Sequence, residues 1–137
     1  MSVRNHTLAD SRQWEPVVDV HLEMMVRLVE AQSGASIAVS LTTPGGVVSG
    51  SLVGRGTWAE RWEDVVAEAV GAQEHAEPLV LLPRTVQDNV EENAPDRLHT
   101  FVHLVDVTFL SAPAAPASPL WRGRISDVSG WSLGAPV

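Results

Sequence analysis

The chain has no cysteine, which excludes disulfides, thiolate metal sites and thiol catalysis together. It has no lysine and no tyrosine. All nine basic residues are arginine, a bias that carries no mechanism of its own. No apolar run approaches the ~20 residues of a membrane-spanning helix, the longest being 78–83. Residues 1–13 are polar and lack the apolar segment of a secretory signal. Clustered positive charge is missing as well, and the formal net charge is −8. Phosphate-bearing partners are held by such clusters, because counterion release drives the binding. The chain is therefore expected to bind neither nucleic acid nor an anionic membrane. Together these absences point to a soluble, cytoplasmic protein.

What is present suffices for one core. The 137 residues are 45% hydrophobic, which fits a single domain over 15–137 behind a flexible arm at 1–14. The first strong element is a helix over 15–32. Pro16 suits its first turn, and Gly34 suits its end. Two apolar stripes run along it. Val18, Leu22, Met25 and Val29 form one, and Val17, Val20, Met24 and Leu28 form the other. Asp19, Glu23, Arg27 and Glu30 share one narrow face. A surface helix needs an apolar stripe only a little over ~100° wide, and this one is roughly twice that. One stripe is expected to pack on the chain's own core and the other on a second subunit. The stripe of Val18, Leu22, Met25 and Val29 is assigned to that homo-oligomer interface. His21 lies among these positions as an ordinary interface histidine or as a pH switch.

A hairpin follows. Ile37, Val39 and Leu41 alternate with small polar residues, Pro44-Gly45-Gly46 marks a turn, and 47–54 returns as a second strand. Thr57-Trp58-Ala59-Glu60 matches a capping box. Trp58, Trp62, Val65, Val66 and Ala69 then recur at helical spacing up to Gly71. The outer face of this second helix is acidic, with Glu60, Glu63, Asp64 and Glu68 against Arg61 alone. It reads as a solvated face or as a contact for a basic partner. Residues 78–83 are expected to form a short buried strand, and 84–97 a mobile loop. A long strand is expected over 98–110, with Phe101, Val105, Val107 and Phe109 on one face and Val102 and Leu104 on the other. The proline-rich segment 111–119 reads as a semi-extended linker.

The C-terminal end is the most distinctive part. In Trp121-Arg122-Gly123-Arg124-Ile125, the two tryptophan-side residues Trp121 and Ile125 flank Gly123 on one strand face, and the arginines lie on the other. With Gly130-Trp131-Ser132-Leu133-Gly134 it reads as a bent strand pair closing a small barrel. Arg122 and Arg124 serve as ordinary ion-pair residues or meet the acidic helix of a neighbouring subunit. His99 and His103 are the only pair with a metal-like spacing. In a strand they stand about 13 Å apart at ~3.3 Å per residue, too far for one ion. No ligand set for a metal or cofactor is visible, and no nucleophile has a base beside it. A hydrolytic or small-ligand site using His99, His103 or Asp106 is the minor alternative.

The order of elements resembles an Sm-like small barrel, with Arg122-Gly123 and Ile125 similar to the second Sm motif. The expected class is thus α+β: an N-terminal helix plus a small bent antiparallel barrel or sheet, with a second amphipathic helix inserted. A nearer resemblance is to the gas vesicle accessory protein GvpU family. It rests on the apolar leading helix, the segment Ser36-Ile37-Ala38-Val39-Ser40-Leu41-Thr42 with Gly50 and Leu52, the strand Phe101-Val102-His103-Leu104, and the C-terminal segments just quoted. That resemblance implies a non-enzymatic cytoplasmic protein without cofactor. It would assist vesicle assembly or clustering through contacts with itself, the vesicle shell or other accessory proteins. A general oligomeric adaptor is the alternative.

Overall fold

The computed structural model describes residues 19–70, 77–83, 98–112 and 114–134. The expected arm at 1–14, Val18 and the loop 84–97 lie outside the described residues. Helix α1 spans Val20–Ala31. Asp19 starts it, its Oδ1 accepting hydrogen bonds from the amides of His21 (2.9 Å) and Leu22 (3.1 Å). These are donors that a helix start otherwise leaves unpaired. The helix ends at Gln32, and Gly34, at φ 82°, turns the chain toward the sheet.

Strands β1 (Ser36–Thr43) and β2 (Gly46–Val53) form the hairpin. Helix α2 covers Arg55–Val70, and residues 77–83 form a short helix, α3. Strands β3 (Phe101–Phe109) and β4 (Ala117–Arg124), a 3₁₀ turn (Ile125–Asp127) and β5 (Gly130–Leu133) complete the fold. The sheet is antiparallel, in the order β4-β3-β2-β1-β5. The α+β class holds, but the barrel does not close: β4 and β5 are opposite edges of an open sheet. Flat, those edges would stand ~19 Å apart, at about 4.8 Å per strand spacing. The link from β4 to β5 contains the compact 3₁₀ turn, whose rise is only ~2.0 Å per residue. Six residue steps that include this turn reach only ~16 Å, so the sheet is curved and not flat.

A bulge lets it curl. Ser49 pairs with Thr108 and Ser51 with Val105, so β3 carries one extra residue there. Asp106 takes it up at φ 53°, a left-handed conformation uncommon outside glycine. Gly50 faces the bulge, and a Cβ on it would lie 2.9 Å from the Val105 carbonyl oxygen. The bulge also corrects the expected faces of β3. Val102, Leu104, Val107 and Phe109 all turn to the α1 side, while Val105 joins Val53, Trp58 and Leu120 on the α2 side. A strict two-residue period cannot anticipate that change of parity.

Three further expectations are corrected. α2 begins at Arg55, so Thr57 is inside the helix and not its cap. The Arg55 amide donates instead to Glu30 Oε1 of α1 at 2.7 Å, a tertiary cap. Residues 77–83 are helical, not a buried strand, and Leu79, Leu81 and Leu82 are exposed. A short apolar run between two prolines has no periodicity to separate the two states. Finally, the last part of the expected linker belongs to β4, which starts at Ala117.

Candidate functional site

Helix α1 presents the most unusual surface. Leu22, Val26 and Val29 are buried in the main core with Val39, Leu41 and Leu52 of the sheet, and Met25 packs against that core. Each such burial stabilises the fold by about 1.5–3 kcal/mol. The interface assigned to Val18, Leu22, Met25 and Val29 is thus corrected. Leu22 and Val29 have no surface left for a partner, and Val18 is outside the described residues. The outward stripe is the other one: Val20 (70% exposed), Met24 (60%) and Leu28 (50%). Both stripes have the same residue types at helical spacing, so only the position of the sheet decides which is covered.

The charged side of α1 is also not what its composition suggests. Glu23 is buried. Its Oε1 accepts from the His99 amide (3.0 Å) and from Arg27 Nε (3.3 Å), and lies 2.8 Å from His99 Nδ1. Its Oε2 has no partner among the described residues. Glu30 is mostly buried against Arg55, at 3.6 Å. Asp19 binds the Trp131 indole of β5 through Oδ2, at 3.0 Å. Glu23 and Glu30 are therefore turned to their own chain, while Asp19 stays 45% exposed. The i, i+4 spacing of Glu23 and Arg27 was visible in the sequence, but nothing in it signalled burial.

On the α2 side, Trp58 stacks on Trp62 at 5.5 Å between ring centres and lies 5.3 Å from the His103 ring. His103 is buried, and its Nε2 accepts from Arg122 Nε at 3.2 Å. The proton of the neutral ring is therefore on Nδ1. Burial first, then the charges of Arg122, Arg55 and His99, push its pKa down to about 3. The Arg122 guanidinium sits 3.5 Å over the centre of the Phe101 ring. Arg124 is exposed at the end of β4. Glu60, Asp64 and Glu68 are exposed along α2, and Glu63 is half-buried.

The chain matches the family described as gas vesicle protein GvpU-like over residues 19–136. That stretch is most of its length. The chain belongs to the gas vesicle protein GvpU-like family. Neither a curated protein nor a solved structure matches it.

For a member of this family, the residues of the enzymatic alternative are arranged unfavourably. His99 is tied to Glu23, His103 to Arg122, and Asp106 to Arg61 at 2.9 Å. Each has its own partner. Among the described residues no group of three His, Asp or Glu side chains could hold a metal, and no helix is long and apolar enough to cross a membrane. A depression of about 360 Å³, lined in part by Ser40, Ser111 and Ser132 with Leu110 and Leu133, has no titratable side chain among the described residues that line it.

Proposed function

We propose that this chain is a non-enzymatic gas vesicle accessory protein, acting in the cytoplasm through protein–protein contacts that assist vesicle assembly or clustering. Family membership supplies the link to vesicles. The observation that carries the contact mode is the outward stripe of Val20, Met24 and Leu28 on a helix whose other side is fully packed. Natural surfaces rarely leave such a row uncovered. The acidic face of α2, with Glu60, Asp64 and Glu68, is a second, electrostatic contact; Arg122 and Arg124 lie at the opposite sheet edge to β5. Neither nucleic acid nor a membrane is part of this function.

The test is co-flotation of the purified chain with vesicles across a salt series, beside vesicle yield and clustering in a deletion strain. Contact through the stripe should persist at high salt and be lost with Met24→Glu. Contact through α2 should weaken as salt screens it. If the chain never floats with vesicles and deletion changes nothing, a homo-oligomeric adaptor role replaces this one. Light scattering would then show a multimer that Met24→Glu dissociates.

A further inference from the structure

The inward row of α1, Leu22, Val26 and Val29, and the outward row, Val20, Met24 and Leu28, lie about half a turn apart at 100° per residue. Their side chains are of similar size, and a core accepts an exchange that keeps its volume. Apolar contact alone therefore leaves the rotation of the helix open. Glu23 and Glu30 lie between the rows, on the same flank. A half revolution would carry both to the other flank, away from their partners. Those partners belong to two distant elements. Glu23 Oε1 accepts from the His99 amide just before β3 at 3.0 Å and lies 2.8 Å from His99 Nδ1. Glu30 Oε1 accepts from the Arg55 amide, where α2 begins, at 2.7 Å. The two contacts are about 10 Å apart along α1, at 1.5 Å per residue. Stability alone would not select Glu23. It is 4% exposed, and its Oε2 has no partner among the described residues. A buried carboxylate with one oxygen unpaired carries a desolvation cost that an apolar side chain of similar volume avoids.

We propose that Glu23 and Glu30 are orientation keys. Their contacts with His99 and Arg55, and not the apolar packing, select which row of α1 faces the sheet and which is displayed. Buried charged groups in this role choose between arrangements more than they stabilise one. Without the keys the helix has two arrangements of similar free energy and populates both. With them Val20, Met24 and Leu28 stay outward. The keys thus set the surface used by the contact function proposed above, and they rest on that reading for their biological consequence only.

The chain has no cysteine, so one introduced thiol takes up a maleimide reagent at a single known place. Met24→Cys reports on the outward row, 60% exposed there, and Val26→Cys on the inward row, 2% exposed. Each probe is placed in the full chain with the keys intact and with Glu23→Leu plus Glu30→Leu. With the keys, the Met24→Cys probe should label on the order of a thousandfold faster than the Val26→Cys probe, which reacts only on opening. Without them, the Val26→Cys probe should speed up on the order of a hundredfold, and the Met24→Cys probe should slow by about twofold or more. The slowing is decisive, because fraying or unfolding exposes both positions and protects neither. Circular dichroism and urea midpoints follow the fold of each variant. If the doubly substituted chain does not fold, Glu23→Leu alone, which keeps the Arg55 contact, is read in the same way. A folded keyless chain whose probes label as with the keys overturns the proposal. So does faster labelling of both probes, which would mean that the carboxylates hold α1 down without choosing its face. If the probes exchange as expected while the chain fails to float with gas vesicles, the keys stand and the vesicle function fails. If flotation is lost with Met24→Glu but the probes ignore the keys, the reverse holds.

Discussion

Asp19 and Trp131 are 112 residues apart in sequence, and the Trp131 indole Nε1 donates a 3.0 Å hydrogen bond to Asp19 Oδ2. The same carboxylate caps α1 through its other oxygen. One side chain therefore both starts the leading helix and ties it to the last strand.

The bond from Trp131, then that from the Leu22 amide, holds the Asp19 carboxyl below its ordinary value of 3.8. A depressed folded-state value means that the contribution to stability is present above 3.8. It is lost as pH falls through the depressed value. Trp131→Phe keeps the ring and removes the donor. It should return the Asp19 titration toward 3.8, followed by NMR at the carboxyl carbon, and should lower the Tm at neutral pH. An Asp19 that titrates as in the wild type would argue against the bond.

His103 gives a larger pH effect over a different range. Below 6.5 the unfolded chain takes up a proton that the folded chain refuses until about pH 3. Stability is full above 6.5 and should decline by about 1.4 kcal/mol per pH unit below it. His103→Leu should remove that part of the slope in urea unfolding across the same range. A variant whose pH dependence equals that of the wild type would show that His103 is charged, or exposed, in the folded chain.

The two stripes of α1 should respond in opposite ways. Met24→Glu adds a charge to an exposed position and should change the unfolding free energy by no more than about 0.5 kcal/mol. Leu22→Ala empties a fully buried position and should cost about 2–5 kcal/mol. Thermal unfolding of both variants decides the matter, and equal losses would mean that the helix is rotated from the orientation described.

Gly54 is where β2 passes into α2 under α1. A Cβ there would lie 2.9 Å from the Val29 carbonyl oxygen, which is backbone and cannot rotate away. Gly54→Ala should destabilise by about 1–3 kcal/mol through that overlap. Gly56→Ala, with open space around its position, is the control and should be tolerated or mildly stabilising inside the helix. Denaturant midpoints of the two variants give the comparison.

Much of the fold could be read in the sequence. The leading helix, the hairpin around Pro44-Gly45 and the tryptophan row of α2 are each where period and turn chemistry place them, and a strand runs through Trp121 to Arg124 as expected, though Ile125 leaves it for the 3₁₀ turn. What failed did so for local reasons. The capping box at Thr57 lost to Glu30, a partner from another element. The faces of β3 shifted at Asp106, because a bulge changes parity with no residue type that requires it. The run 78–83 offered apolarity without a period.

The candidate contact face was half legible. The sequence by itself determined that α1 carries more apolar surface than one core uses, since 3.6-residue geometry places both rows at once. It also determined the charge balance, the lack of thiol chemistry and the likeness to the vesicle family. Which row lies inward was decided only by the curled sheet, whose Val39, Leu41 and Leu52 meet Leu22, Val26 and Val29. The burial of Glu23 was decided in the same way, by the His99 amide that β3 brings to it from 76 residues away. A helix turned through half a revolution would keep every local preference satisfied. Only contacts between distant segments distinguish the two orientations, and these leave Val20, Met24 and Leu28 on the surface with Arg27 beside them.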